Sequence, residues 1–253
     1  MTVCYFTASG NCLYVARRIG GTLLSIPQLM RQERIEIEDD AVGVVCPVYN
    51  AEMPMMVREF MRKARIRTDY FFFIYTYGMG FGEAWAHAKL AAEDAGTALR
   101  YVNAVQMVDN FIPYFDMREQ IDTLPEKDVE GQLEAICNEI AARKTVEVKI
   151  TAVTKAQMKL YHNRLAKRFL RPDTALGYTV NDDCILCGTC AKVCPANNIT
   201  VTDKVLFSDH CEVCYACLHN CPKNAIHMPE EANGAVRFRN EHVSLTDIIQ
   251  ANE

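Results

Sequence analysis

Twelve cysteines stand in this chain of 253 residues, and their placement carries the first chemical information. Cys4, Cys12, Cys46 and Cys137 are scattered, whereas the other eight fall between Cys184 and Cys221. The eight form two runs, Cys184, Cys187, Cys190, Cys194 with Pro195 and Cys211, Cys214, Cys217, Cys221 with Pro222, each reading C-x2-C-x2-C-x3-C-P. Every cysteine of the second run lies 27 residues after its counterpart in the first, and the pairs Asp182/Asp209 and Ile199/Ile226 keep that offset. A whole structural unit has been duplicated. Three thiolates at C-x2-C-x2-C share one tight loop, from which each sulfur can reach a different iron of a cubane, and the fourth iron needs a ligand from elsewhere. Two structural zinc sites are the competing chemistry for four-thiolate sets, but zinc ribbons rarely follow two consecutive x2 spacings with x3-C-P. A disulfide framework belongs to exported chains, and Met1-Thr2-Val3-Cys4-Tyr5-Phe6 lacks the basic start and long apolar stretch of a signal peptide.

Over about residues 174–231 the runs resemble the bacterial two-cluster ferredoxins, with agreement at all eight ligand positions. In that family the last cysteine of each run serves the other cluster. The resemblance therefore implies one 4Fe–4S cluster on Cys184, Cys187, Cys190 and Cys221, and a second on Cys211, Cys214, Cys217 and Cys194. It also implies low-potential, one-electron centres in a small α+β domain. The residues between the ligands are small or apolar, among them Ile185, Leu186, Gly188, Val213, Ala216 and Leu218. Such a lining keeps water from a cluster and frees backbone N–H groups for its sulfurs. Tyr215 is expected to pack on the edge of its cluster. His210 and His219 flank ligands and are expected to be supporting or surface groups.

The elements that must position this chemistry follow from periodicity and breaker residues. Short apolar runs at Val3–Phe6, Leu23–Ile26, Ala41–Cys46, Tyr70–Thr76 and Leu99–Met107 read as strands. Between them, helical spacing runs from Cys12 to Ile19, from Pro54 through Met61, from Glu83 to Ala95 and from Glu126 to Arg143. Strands alternating with helices make a parallel sheet covered on both faces. Five strands suit a flavodoxin-like order, with a ligand crevice at their carboxyl ends.

The residues at those ends are informative. Thr7 and Ser9 offer hydroxyls, Gly10 is permissive, Asn11 adds an amide, and a helix begins at Cys12, a combination suited to a phosphate. Thr7-Ala8-Ser9-Gly10-Asn11 resembles the phosphate loop of flavodoxins, with Cys12 replacing the final hydroxyl by a thiol. A thiol at a helix amino terminus has in principle a lowered pKa. Two more loops fall where flavodoxins hold the isoalloxazine ring: Tyr49 and Asn50 lie in one, and Thr76, Tyr77, Gly78 and Phe81 in the other. Met107–Pro113 resembles a stretch of fused flavodoxin–ferredoxin proteins of anaerobes. The resemblance implies an FMN site made of these residues. A flavodoxin-like shell with an empty or altered site is the alternative. Trp85, Cys4, Cys46 and the methionines at 53, 55 and 56 are expected to serve packing.

The expected organisation is an α/β flavodoxin-like five-stranded parallel-sheet domain at 1–145, a basic helical linker at 146–173, a two-cluster ferredoxin domain at 174–231 and a tail at 232–253. Residues 143–171 are basic, with Arg143, Lys144, Lys149, Lys155, Lys159, Arg164, Lys167, Arg168 and Arg171, and helical spacing runs from Ala152 to Leu170. The linker reads as a solvated helix, or more sharply as a docking face for an acidic redox partner. The net charge of −5 argues against a nucleic-acid binder, and no run approaches the ~18 apolar residues of a spanning helix. These readings converge on a cytoplasmic electron-transfer protein that exchanges electrons with redox partner proteins. A flavin-free relay and a flavin-dependent reductase of a small molecule are the alternatives.

Overall fold

A computed structural model describes all 253 residues. Its largest sheet has five parallel strands: β1 (Thr2–Tyr5), β2 (Thr22–Ser25), β3 (Ala41–Pro47), β4 (Tyr70–Tyr77) and β5 (Leu99–Gln106). They lie in the order β2-β1-β3-β4-β5, the flavodoxin-like winding. Continuous apolar sequence marks β3 and β4 as central strands covered on both faces, and every residue of β4 before Tyr77 is buried. β5 buries only Tyr101 and Val105 fully, as suits an edge strand. A separate two-stranded parallel pair joins Ile35–Glu38 to Ala64–Arg67.

Four helices cover the sheet. α1 (Asn11–Ile19) packs with α4 (Val129–Ala141), and α2 (Met55–Lys63) packs with α3 (Ala84–Asp94). α1 and α2 each carry two basic residues in the last turn, Arg17-Arg18 and Arg62-Lys63, which complement the negative end of the helix dipole. Boundaries moved by a few residues from the sequence reading. Ile26 opens a short helix, Ile26–Leu29, capped by the Ser25 hydroxyl, and the helix expected at Glu126 begins at Val129 after a 3₁₀ turn.

The basic segment is α5 (Ala152–Tyr161), continued by a π-helical turn at His162–Ala166 and a last turn at Lys167–Phe169. The cysteine-rich region follows as two small units. Each has a short helix, Thr189–Lys192 or Ala216–His219, and the antiparallel pairs are Ile199–Val201 with Val205–Phe207 and Thr179–Val180 with Ile226–His227. The segment expected to be a tail returns to the sheet domain instead. Helix α6 (Leu245–Asn252) packs on Ile26–Leu29, and Val243, Ile248 and Ala251 join the main core.

Candidate functional site

One large cavity, about 600 Å³, opens at the carboxyl ends of the strands. It falls in the size range of cofactor pockets. Three layers of the molecule wall it. The floor comes from Thr7, Ala8, Ser9, Asn11 and Cys12, from the loops 47–51 and 76–80, and from Gly82. One side is the segment 108–111 with Tyr114 and Phe115. The remaining wall comes from Tyr161, Leu165, Arg168, Phe169 and Leu170 of the basic segment, together with Val213 and Tyr215 of the second cysteine loop.

Two residues of this lining, Thr7 and Tyr49, carry hydroxyls buried without a partner, on side chains 2 % and 9 % exposed. Orphaned buried hydroxyls are rare because desolvation is uncompensated, so each calls for a partner. The other polar groups of the first loop are engaged. Asn110 Nδ2 donates to Ser9 Oγ at 2.9 Å. Asn11 Nδ2 donates to the Val108 carbonyl at 3.2 Å, while its Oδ1 accepts from Asn240 Nδ2 at 3.2 Å. Asn240 N–H also donates to the Ser9 carbonyl, and Asn220 Nδ2 to that of Ala8. The loop is thereby held from three distant parts of the chain, and Asn11 acts as its brace.

Cys12 lines the cavity, but its thiol pairs with Thr76 Oγ1 at 3.2 Å, and burial pushes its pKa up to about 12. This corrects the expectation of a thiol activated by the helix terminus: desolvation of the thiolate outweighs the dipole. Gly10 stands outside the lining, because its Cα faces Asn240 and Val243 of the returning segment. Phe81 is also outside it and packs on Tyr77 at 5.3 Å between ring centroids. Tyr49, Asn50, Thr76, Tyr77 and Gly78 do line the cavity. Tyr49 meets Phe6 edge-on, and a bridge between Tyr49 and Glu52 closes a tight turn in which Asn50 and Ala51 have φ of 51° and 68°. A Cβ at position 78 would lie 2.0 Å from Asp109 Cβ, so only glycine lets the two loops meet there. Asp109 accepts from the N–H groups of Met79 and Phe111, while burial raises its pKa. Trp85 is half-buried and away from the cavity.

The basic segment is fastened to the floor by Glu52, whose side chain is 2 % exposed. Its carboxylate pairs with Arg58 and lies 2.9 Å from His162 Nδ1, at the start of the π-helical turn. Burial pushes the Glu52 pKa up, but Arg58 and His162 more than reverse this and hold it below the ordinary value. Sequence reading found the helical spacing here and missed that Leu165 and Phe169 face a cavity. Their apolar character at i and i+4 was the available signal.

Smaller cavities enclose the cysteines of the two runs. Cys184, Cys187, Cys190 and Cys221 line one, and Cys194, Cys211, Cys214 and Cys217 line the other. No three His, Cys, Asp or Glu side chains stand close enough to share a single metal ion. Backbone N–H groups reach the sulfurs in a duplicated way: Asn198 donates to Cys194 Sγ and Ala225 to Cys221 Sγ, both at 3.3 Å, and these donors are again 27 apart in sequence. Burial pushes Cys190 and Cys211 up to about 11, whereas the Thr189 hydroxyl and backbone N–H lower Cys187. Soft thiolate donors suit iron–sulfur chemistry, and metal must displace the protons that burial retains.

A family model for the 4Fe–4S binding domain matches residues 178–200. The chain carries an iron–sulfur domain. The match takes in the whole first cysteine run of this 4Fe–4S domain, and the second run repeats its backbone and hydrogen bonds. No curated protein matches the chain. Among solved structures it is similar to a flavodoxin from the domain Archaea, at 15 % identity over 53 % of this chain and 97 % of that one, TM-score 0.31. It is similar to a short-chain flavodoxin associated with a bacterial microcompartment, at 19 % identity over 53 % and 96 %, TM-score 0.32. Rubredoxin:oxygen oxidoreductase from Desulfovibrio gigas gives 15 % identity over 53 % of this chain and 36 % of that one, TM-score 0.33. The strand order itself makes the first half flavodoxin-like, so the chain joins a flavodoxin-like sheet to a 4Fe–4S domain, in the manner of an electron-transfer protein.

The cysteine domain is bound to the sheet domain at several points. Glu212, next to Cys211, accepts from the Met56 N–H at 2.9 Å and so caps α2, which has no cap of its own. Burial pushes the Glu212 pKa up to about 7. His219 is buried, donates from Nε2 to the Asn110 carbonyl at 3.0 Å and accepts at Nδ1 from the Phe238 N–H at 3.1 Å. It is thus a supporting group between the cysteine domain and the cavity wall.

Proposed function

We propose that the protein is an electron carrier holding FMN in the large cavity and two 4Fe–4S clusters beside it. The observation that carries the FMN reading is a cavity of about 600 Å³ at the carboxyl ends of a flavodoxin-like sheet, lined by Thr7 and Tyr49, whose buried hydroxyls have no partner. Thr7 Oγ1 and the N–H groups at the start of α1 would take the phosphate, as a helix amino terminus favours an anion. Ser9 keeps its hydroxyl proton free for the same phosphate while accepting from Asn110. Tyr49, Tyr77 and the glycine-rich loop 78–82 would hold the ring system. The basic segment roofs it through Tyr161, Leu165 and Phe169.

Cys184, Cys187, Cys190 and Cys221 would ligate one cluster, and Cys194, Cys211, Cys214 and Cys217 the other, in keeping with their enclosure of two separate cavities. FMN exchanges electrons in pairs or singly, and each cubane exchanges one. The chain's own residues exclude water, fix positions and supply N–H donors to sulfur. Residues 1–145 and 174–231 serve as the two functional units, with 146–173 as roof and link and 232–253 as support for the first.

The first cluster site is the outlet to a redox partner protein, because Cys187, Ile185 and Leu186 at its rim are exposed while Cys214 and Cys217 of the other set are buried. No helix is long and apolar enough to cross a membrane, and we assign the protein to the cytoplasm.

The test is the protein purified without oxygen. One FMN released by acid, with about eight iron and eight sulfide per chain, is the expected result. Clusters without FMN sink the flavin half of the reading, and zinc in place of iron sinks the cluster half.

A further inference from the structure

The two cysteine loops repeat each other down to unusual backbone angles. Leu186 and Val213, Gly188 and Tyr215, and Asn197 and Asn224 are pairs 27 residues apart, and all six have positive φ: 54° and 53°, 76° and 58°, 52° and 49°. At the position of Gly188 the loop thus turns through the left-handed region, which glycine enters freely and a bulky residue seldom does. In the second loop this same position is Tyr215. The cluster loop does not require a ring there, since the first loop closes around its thiols with glycine.

The position of the ring supplies the reason. Tyr215 is 5 % exposed and lines both the large cavity and the smaller one enclosed by Cys194, Cys211, Cys214 and Cys217. Among the residues of the two cysteine runs, only Val213 and Tyr215 reach the large cavity. The ring continues an aromatic row along the cavity wall, 6.0 Å from Phe111, which is 5.5 Å from Phe169. No residue of the first loop lines the large cavity, and its rim residues Ile185 and Leu186 face solvent.

We propose that Tyr215 is the bridge by which single electrons pass between the occupant of the large cavity and the cluster on Cys194, Cys211, Cys214 and Cys217, which makes that cluster the proximal one. This rests on the FMN reading above. One electron leaves the reduced flavin and one enters the oxidised cubane, or the reverse. No bond to Tyr215 forms or breaks, and the ring neither gains nor loses a proton. The second electron follows once the first has moved on to the cluster on Cys184, Cys187, Cys190 and Cys221.

The experiment compares the full chain with Tyr215→Gly, Tyr215→Leu and Tyr215→Phe, all prepared without oxygen and assayed for FMN and iron. Tyr215→Gly restores the residue the duplicated backbone uses, and Tyr215→Leu fills the space without a ring. Two readouts are taken. The first is the rate at which cluster absorbance bleaches after flash reduction of the flavin, and the second is the fluorescence of oxidised FMN. Tyr215→Gly and Tyr215→Leu should keep both cofactors, slow the transfer on the order of tenfold or more, and brighten the flavin. Tyr215→Phe should match the parent in both readouts. Wild-type transfer in a Tyr215→Gly or Tyr215→Leu chain holding FMN and full iron overturns the bridge, whether or not the fluorescence changes. Absence of FMN from the parent protein overturns the underlying reading instead, and is seen before any variant is compared.

Discussion

At the residue scale, the decisive groups are those that lack something. Thr7 Oγ1 is buried in a loop whose other side chains are already committed: Ser9 accepts from Asn110, and Asn11 is tied to Val108 and Asn240. Replacement by valine keeps the shape of Thr7 and removes the one side-chain hydroxyl of the loop that has no hydrogen-bond partner at all. Thr7→Val should weaken FMN binding by about 1 kcal/mol, roughly fivefold in Kd, as measured by titrating FMN into the flavin-stripped protein. Its folding stability should hold or rise, because an unsatisfied buried hydroxyl has been replaced by a methyl. The opposite signs of the two effects separate a ligand contact from a packing contact. Cys12 makes the complementary point. A thiol at a helix terminus looks reactive in sequence, yet its burial and its bond to Thr76 leave it protonated.

At the scale of elements, the cavity depends on parts of the chain far from its floor. The Glu52 carboxylate fastens the roof through His162, and His87 on α3 feels Glu52, Arg58 and His162. Burial lowers the His87 pKa below its ordinary 6.5, although Glu52 opposes the shift. A depressed histidine pKa means that the unfolded chain takes up a proton before the folded one does. Stability therefore declines as pH falls below 6.5 and levels off only below the folded value. In urea titrations across that range, His87→Leu should show a shallower loss of stability with falling pH than the parent; an unchanged slope would remove His87 from the account. The returning segment is a second such element. Asn240 holds the first loop, and Ile248 and Ala251 of α6 are buried against the sheet domain. Removing residues 245–253 should cost about 3 kcal/mol, seen as a drop of roughly 5–10 °C in the unfolding midpoint. A midpoint that does not move would mean α6 contributes nothing to the core.

At the scale of the whole molecule, a duplicated unit has been made asymmetric by what it packs against. The two cysteine sets enclose separate cavities, and each contains one cysteine from the other run. Cys194→Ala and Cys190→Ala are therefore neighbours in sequence with different consequences. Cys194→Ala should remove the cluster served by the second run, and Cys190→Ala the one served by the first. Each variant should retain about four irons per chain, but with distinct electron paramagnetic resonance signals. Identical residual signals from the two would show that the ligand sets are not interleaved.

The thiolate chemistry was legible in sequence because the ligands of each loop are local: spacing along eleven residues fixes which sulfurs share a loop, and a 27-residue offset exposes the duplication. The central strands were legible as well, since a strand buried on both faces reads as an unbroken apolar run such as Tyr70–Thr76. The closing of the cavity was not. Leu165, Phe169 and Tyr215 close over a floor that begins at Thr7, between 158 and 208 residues earlier in the chain, and their side-chain types are equally at home on an ordinary packing face. Only tertiary structure decides which apolar residues meet each other and which meet a space, because burial depends on what the rest of the chain brings alongside.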